Sequence, residues 1–310
     1  MRALVVGAGA VGQVLALHLK RAGAHVTFAV RSPEKVHPTT LTRLGWFGRR
    51  DVSAFAADEV VSVLDGRGFE LVFITLPSDA LESPWLASIA KQVGDAIVVG
   101  LQPGLEDRAR LLALGLDEAR LVRGLISLVS YATPLSTADA LQTEGYAYWL
   151  PPLSPFAFDG PRPFVDTVVS TLKHGGLPAT HRPGLEHEVI FFTAALLVTV
   201  RALERHGWSL RELRRDPALS VAASAQALAV TSRRLNRSAP FGPTLTTRSW
   251  LLGLATSVAP KVLPFDFETY ARVHFTKVAP QSRLLLGELV KEGRAFGLPV
   301  DALENLLAGV

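Results

Sequence analysis

The chain contains no cysteine and a single methionine in 310 residues. Disulfides, a thiolate nucleophile and cysteine-bound zinc are thereby excluded, and the composition suits a reducing compartment, so a cytoplasmic location is expected. Unbroken apolar runs are short. The charge-free stretches 189–200 and 217–232 stop below the roughly 20 residues that cross a bilayer. They read as buried helices, and no membrane partner is expected. The first strand-like run starts at Ala3, so no cleaved targeting segment is expected before it. Neither sign of charge dominates: 32 basic residues stand against 28 acidic ones, for a net charge of +4 and a sequence pI near 9.6. The clusters Arg211, Arg214, Arg215 and Arg233, Arg234, Arg237 suit solvated helix ends, and the balance calls for no nucleic-acid partner. There is no internal repeat and no low-complexity tract.

What is present begins with glycine. Gly7, Gly9 and Gly12 stand in the run Gly7-Ala8-Gly9-Ala10-Val11-Gly12, after the apolar Ala3-Leu4-Val5-Val6 and within a periodic segment, 11–22, that stops at Gly23. The pattern predicts a buried strand, a tight turn and a helix, the arrangement that binds dinucleotides. Gly7 permits the turn, Gly9 lets backbone approach a pyrophosphate, and Gly12 lets the helix pack closely on the strand. The free N–H groups at the helix start attract phosphate charge. After a second predicted strand, 25–30, come Arg31, Ser32 and Pro33, where an NAD site carries Asp or Glu. A carboxylate there accepts a hydrogen bond from the ribose but repels a 2'-phosphate, which a guanidinium instead holds in bidentate fashion. NADP is therefore the expected cofactor; the alternative makes Arg31 a surface charge and Glu34 a weaker ribose acceptor.

Further buried strands are predicted at 71–76 and 96–100, an extended apolar stretch at 121–130 and a strand at 146–149, interleaved with helices at 85–93 and 106–114. This is the βαβ alternation of an open, mostly parallel sheet, whose ligands collect beyond the carboxyl ends of the strands. The expected cofactor set is Gly7, Ala8, Gly9, Ala10, Val11, Gly12, Arg31, Ser32, Leu76, Pro77 and Gln102. After about Pro183 strand-like runs cease, and helices are predicted at 185–205, 217–234, 250–259, 267–279 and 281–296. With 48% hydrophobic residues the chain can bury two cores. The expected fold class is α/β: a Rossmann-type doubly wound domain over 1–182, then an all-helical domain over 183–310 for substrate binding or dimerisation. A homodimer would use Phe241 and Trp250 if they are exposed.

With these marks the chain resembles the ketopantoate reductase (2-dehydropantoate 2-reductase) family over nearly its whole length. The resemblance rests on the Gly7 to Gly12 motif, on Arg31, on Gln102-Pro103-Gly104, which is similar to the family's Gln-Asn-Gly turn, and on the closing Phe296-Gly297-Leu298-Pro299-Val300. It implies a Rossmann domain, a helical domain, a small-molecule substrate between them and NADPH as hydride donor. It also implies a lysine early in the first long helix of the second domain and a glutamate opening the last long one. Here Glu188 stands at the lysine's place, Gln281 at the glutamate's, Pro103 at the turn's asparagine, and Pro77 where a lysine commonly follows the strand.

Reducing a ketone requires a hydride from the nicotinamide and a proton delivered to the developing alkoxide. An anionic Glu188 repels a 2-keto acid and attracts an amine or iminium group. His274, Lys277 and Gln281 share a helical face if a helix runs through Pro280, and otherwise span a junction of two helices. Lys277 can donate a proton, and His274 can do so nearer neutral pH. The candidate catalytic set is thus Lys277, His274, Glu188 and Gln281. Glu186, His187 and Glu188 point in different directions on a helix, so no metal site is expected there, and acids suit a helix start. The reading is an NADPH-dependent oxidoreductase that reduces a small carbonyl or imine compound in an interdomain cleft. Two alternatives stay open: a non-catalytic NADP-binding sensor or subunit with decayed acid–base residues, and a true ketopantoate reductase using displaced residues.

Overall fold

Residues Ala3 to Val6 are fully buried and alternate between two cores, which explains why their run is apolar without a polar face. They form β1 (Arg2–Val6), followed by α1 (Ala10–Arg21) and β2 (His25–Ala29). The computed structural model describes residues 1–137 and 139–308. The chain divides into two compact units, Met1–Glu186 and His187–Val310. The expected division after residue 182 falls just before this, in the linker that leads into the first long helix.

The first unit continues with β3 (Thr39–Leu44), β4 (Arg50–Phe55), β5 (Glu59–Val61), β6 (Leu71–Ile74), α2 (Pro84–Ala90), β7 (Ile97–Gly100) and α3 (Asp107–Ala113). It closes with β8 (Leu121–Leu125), β9 (Val129–Thr133), β10 (Gly145–Trp149), β11 (Phe156–Asp159), α4 (Arg162–His174) and β12 (Ala179–His181). An eight-stranded sheet runs in the order β12-β11-β8-β7-β6-β1-β2-β5. Its neighbours are parallel except for β11 against β8. Ala3 and Val5 join a core with residues of α1 and α4, and Leu4 and Val6 join one with α2 and α3, so the sheet is covered on both faces. This is the Rossmann-type, doubly wound arrangement.

The extended stretch 121–130 holds one strand and the start of another: the chain leaves the main sheet after Leu125 and enters a second sheet as β9. That second sheet, β4-β3-β10-β9, also takes the strand predicted at 146–149 out of the main sheet. Its Leu41, Phe55 and Tyr148 pack into the core on the α1 side. The hairpin of β3 and β4 lacks an apolar run, because few of its residues are buried and most of the others are polar.

The helical region is α5 (Leu185–Arg205), α6 (Leu210–Arg215), α7 (Ala218–Leu235), α8 (Phe241–Thr244), α9 (Ser249–Val262), α10 (Phe267–Lys277), α11 (Ala279–Ala295) and α12 (Asp301–Ala308). Its core gathers Val198, Leu213, Ala227, Leu286 and Leu303 from five of these helices. Gln226 of α7 caps α12, accepting hydrogen bonds from the N–H groups of Ala302 and Leu303 at 3.0 and 3.1 Å. Among the described residues no helix is long and apolar enough to cross a membrane.

Candidate functional site

The turn between β1 and α1 is built on close approach. Gly7 has φ +104°, a conformation that strains other residues, and its N–H donates to the carbonyl of Ala29 at 2.9 Å. The Thr75 hydroxyl, just past β6, shares its proton between the carbonyls of Val6 and Gly7, each at 3.0 Å. A Cβ on Gly12 would lie 2.2 Å from the Gly7 carbonyl oxygen, so helix and turn touch there without a side chain between them. At Gly9 the opposite holds: nothing stands within 4 Å of where a Cβ would be. Gly9 is the N-cap of α1, which has no side-chain cap and no acid in its first turn. Its leading N–H groups are thus open to an anion.

The neighbouring strand ends are stitched to this turn. Gln102 is buried, and its Nε2 donates to the carbonyls of Ile74 at 2.9 Å and Leu76 at 2.8 Å, tying the end of β7 to the end of β6. Arg123 of β8 is also buried; its Nη2 donates to the Gln102 carbonyl at 2.6 Å, and its Nε lies 3.5 Å from Glu186. Glu186 in turn stands 3.7 Å from Arg108. Burial pulls the Arg123 guanidinium below its ordinary value, while the charges of Glu186 and Asp107 favour its protonated form. Asp107 is fully buried at the start of α3 and accepts from the Ser78 hydroxyl at 2.7 Å, the Gly104 N–H at 2.5 Å and Arg110 at 3.1 Å. The loops after β6 and β7 are thus tied by buried polar contacts to Asp107 of α3 and Arg123 of β8.

Of the predicted cofactor set, Gly7, Leu76 and Gln102 are joined by these contacts, with Ala8, Gly9, Ala10, Val11 and Gly12 in the same turn and helix start. Pro77 follows Leu76 and is half-buried. Gln102 commits both amide protons to backbone, so it shapes the loops rather than reaching outward. Arg31 and Ser32 lie beyond β2, the strand beside β1. Arg31 is exposed, with no hydrogen-bond or ion-pair partner among the described residues. Thr75, Asp107, Arg123 and Glu186 complete the network and stand outside the predicted set. Arg123 carried the readable signal: a charge inside the apolar run Leu121-Val122-Arg123-Gly124-Leu125. Glu186 answers two arginines, a role beyond that of an acid at a helix start.

The proton-transfer candidates lie in the second unit. His274 and Lys277 occupy the last turn of α10, and Gln281 the first turn of α11. The helix does not run through Pro280: it breaks at Val278, and Pro280 sits in the first turn of α11, where its missing N–H costs little. His274 is half-buried, stacked on Tyr270 at 5.2 Å and edge-on to Phe275 at 4.8 Å. Burial, and then the charge of Lys277, lower its pKa to about 4. Its ring is therefore neutral at pH 7, which removes the expectation that it gives up a proton near neutrality. Lys277 is exposed, as is Glu188 in the first turns of α5. Among the described residues no cluster of three or more His, Asp or Glu side chains is placed to hold a metal ion.

Residues 3–153 match the model of the family described as ketopantoate reductase PanE/ApbA. Among curated proteins none matches the chain. Similar solved structures include D-mandelate dehydrogenase with NADH and anilino(oxo)acetate: 15% identity, TM-score 0.72, covering 100% of this chain and 96% of that one. A 2-dehydropantoate 2-reductase from Geobacter metallireducens GS-15 is 12% identical with TM-score 0.71, covering 100% and 98%. A PanE/ApbA family ketopantoate reductase from Ralstonia eutropha JMP134 is 18% identical with TM-score 0.70, covering 99% and 96%. At these identities the likeness is one of fold.

Proposed function

We propose, on the premise that the chain belongs to the ketopantoate reductase family, that it is an NADPH-dependent oxidoreductase acting on a small carbonyl or imine compound. The observation that carries this is the turn of Gly7, Gly9 and Gly12. Its uncapped helix start and the open space at Gly9 fit a dinucleotide pyrophosphate. Arg31, exposed and without a partner among the described residues, fits a 2'-phosphate. One structural neighbour holds NADH, so the choice of the phosphorylated cofactor rests on Arg31. When bound, NADPH supplies a hydride from C4 of its nicotinamide. In this reading Lys277 holds the proton that quenches the developing alkoxide or amide anion, Gln281 orients the substrate through its amide, and Glu188 favours a cationic group over a carboxylate. His274, neutral, accepts a hydrogen bond beside Lys277. A cytoplasmic setting and a homodimer through the second unit complete it; Phe241 and Trp250 are 80% and 65% exposed.

Calorimetry with NADPH and NADH tests the cofactor. NADPH should bind at least about tenfold tighter, and Arg31→Glu should abolish the preference; equal affinities in the parent chain remove the assignment. NADPH consumption with keto acids, aldehydes and imines tests the chemistry. A second reading, a non-catalytic NADP-binding sensor or subunit, is favoured by Glu188 and Gln281 standing where the resemblance places a lysine and a glutamate; it requires binding without turnover on any substrate. Turnover of ketopantoate itself would instead support the third reading, a true ketopantoate reductase using displaced residues.

A further inference from the structure

A groove of about 1180 Å3 runs alongside α1, from Ala8 and Gln13 to Lys20 and Arg21. Its opposite wall is one end of the second sheet. The starts of β3 and β10 and the ends of β4 and β9 meet there, because β3 and β10 run parallel to each other and antiparallel to their outer partners. Residues 35–38 close the third side. Of the expected cofactor set Ala8 lines it, whereas Arg31, Leu76 and Gln102 do not. The volume lies just above the roughly 300–1,000 Å3 usual for sites of small organic molecules, so one such molecule fits with room to spare.

The lining charges are unequal. Lys20, Arg21 and Lys35 line the groove against one carboxylate, Glu144, with His37 beside them. Lys20 is answered by Asp58 at 2.8 Å. Arg21 donates to the Ser53 hydroxyl at 2.7 Å and has no carboxylate partner among the described residues. The side chains of Lys35 and His37 have no hydrogen-bond or ion-pair partner among them. Thr39, Thr40 and Thr133 add neutral donors, while the rings of Tyr146 and Pro134 offer apolar surface. Excess positive charge beside apolar rings is complementary to a planar body carrying an anionic group.

We infer that this groove, which starts at Ala8 of the dinucleotide turn and runs away from it along α1, is a second ligand site that takes a small aromatic anion. The probe is 4-methylumbelliferyl phosphate, titrated into the full chain with and without saturating NADPH. One equivalent should bind in both conditions. 4-Methylumbelliferone and inorganic phosphate, each holding half of the recognised chemistry, should bind at least about tenfold more weakly. The double variant Arg21→Ala, Lys35→Ala should weaken the probe at least about tenfold by removing charge. Ala132→Trp, at an exposed groove position, should do the same by bulk with every charge retained. Circular dichroism checks that both variants fold. No binding of the probe, its displacement by NADPH, or affinity within about twofold of the parent in both variants would overturn the inference. If the chain fails to bind NADPH, the cofactor reading is lost, yet the two variants still decide this one.

Discussion

Gly9 and Gly12 stand three residues apart in one turn and meet opposite demands. A methyl group on Gly12 meets the Gly7 carbonyl at 2.2 Å, whereas one on Gly9 meets nothing within 4 Å. Gly12→Ala should therefore destabilise the fold by about 1–3 kcal/mol through overpacking. Gly9→Ala should change stability by no more than about 1 kcal/mol, the scale of an N-cap change, yet weaken NADPH because its methyl group occupies the phosphate's approach. Urea midpoints and calorimetric affinities separate the two effects; equal stability losses would mean that Gly9 is a packing residue. Arg123 makes a third test at this scale. Arg123→Met removes the hydrogen bond to the Gln102 carbonyl and the ion pair to Glu186. It should cost about 1–3 kcal/mol, measured by urea unfolding. A loss below about 0.5 kcal/mol would show that the buried guanidinium holds nothing together.

Helix α1 is fixed by a buried histidine. The neutral His18 ring donates from Nδ1 to the Gly175 carbonyl at 2.7 Å, just past α4, and lies 3.4 Å from the Tyr148 hydroxyl of β10. Burial lowers its pKa from 6.5 to about 4. The unfolded chain thus takes up this proton more readily than the folded one. The contribution is full above the unfolded value and is lost as pH falls from 6.5 towards 4, a total of about 3 kcal/mol. Urea midpoints should drop between pH 7 and pH 5, and His18→Gln should flatten that slope; an unchanged slope would place the acid sensitivity elsewhere. The same element shows what sequence periodicity can carry. β1, α1 and β2 were legible because they follow one another directly and form one βαβ unit. The second sheet was not. β3 and β4 bury single residues such as Leu41 and Phe55 against α1, and the passage from β8 to β9 changes sheet inside one apolar stretch. Hydrophobicity reports burial, not which sheet provides it. Arg123 was legible as a charge out of place, but its partner Glu186 lies 63 positions on, a pairing that only the fold creates.

At the scale of the whole chain, the change from alternating strands to helices was legible, and the residues proposed for the cofactor and for proton transfer fall in different units. Every residue assigned to the dinucleotide lies in Met1–Glu186, and Lys277, His274, Glu188 and Gln281 all lie in His187–Val310. Cofactor affinity and proton transfer should therefore be separable by mutation. Arg31→Glu should weaken NADPH at least about tenfold while leaving kcat at saturating cofactor within about threefold, because it removes binding that is the same in ground and transition states. Lys277→Ala should leave NADPH affinity unchanged and lower kcat by about 10²–10⁴, the range for losing a positioned acid. With the His274 pKa at about 4, kcat should also show no ionisation near pH 6.5; a step there, abolished by His274→Asn, would restore the histidine as proton donor. If Lys277→Ala retains full kcat, the proton comes from another group, and the acid–base assignment in α10 fails while the cofactor assignment in the first unit stands.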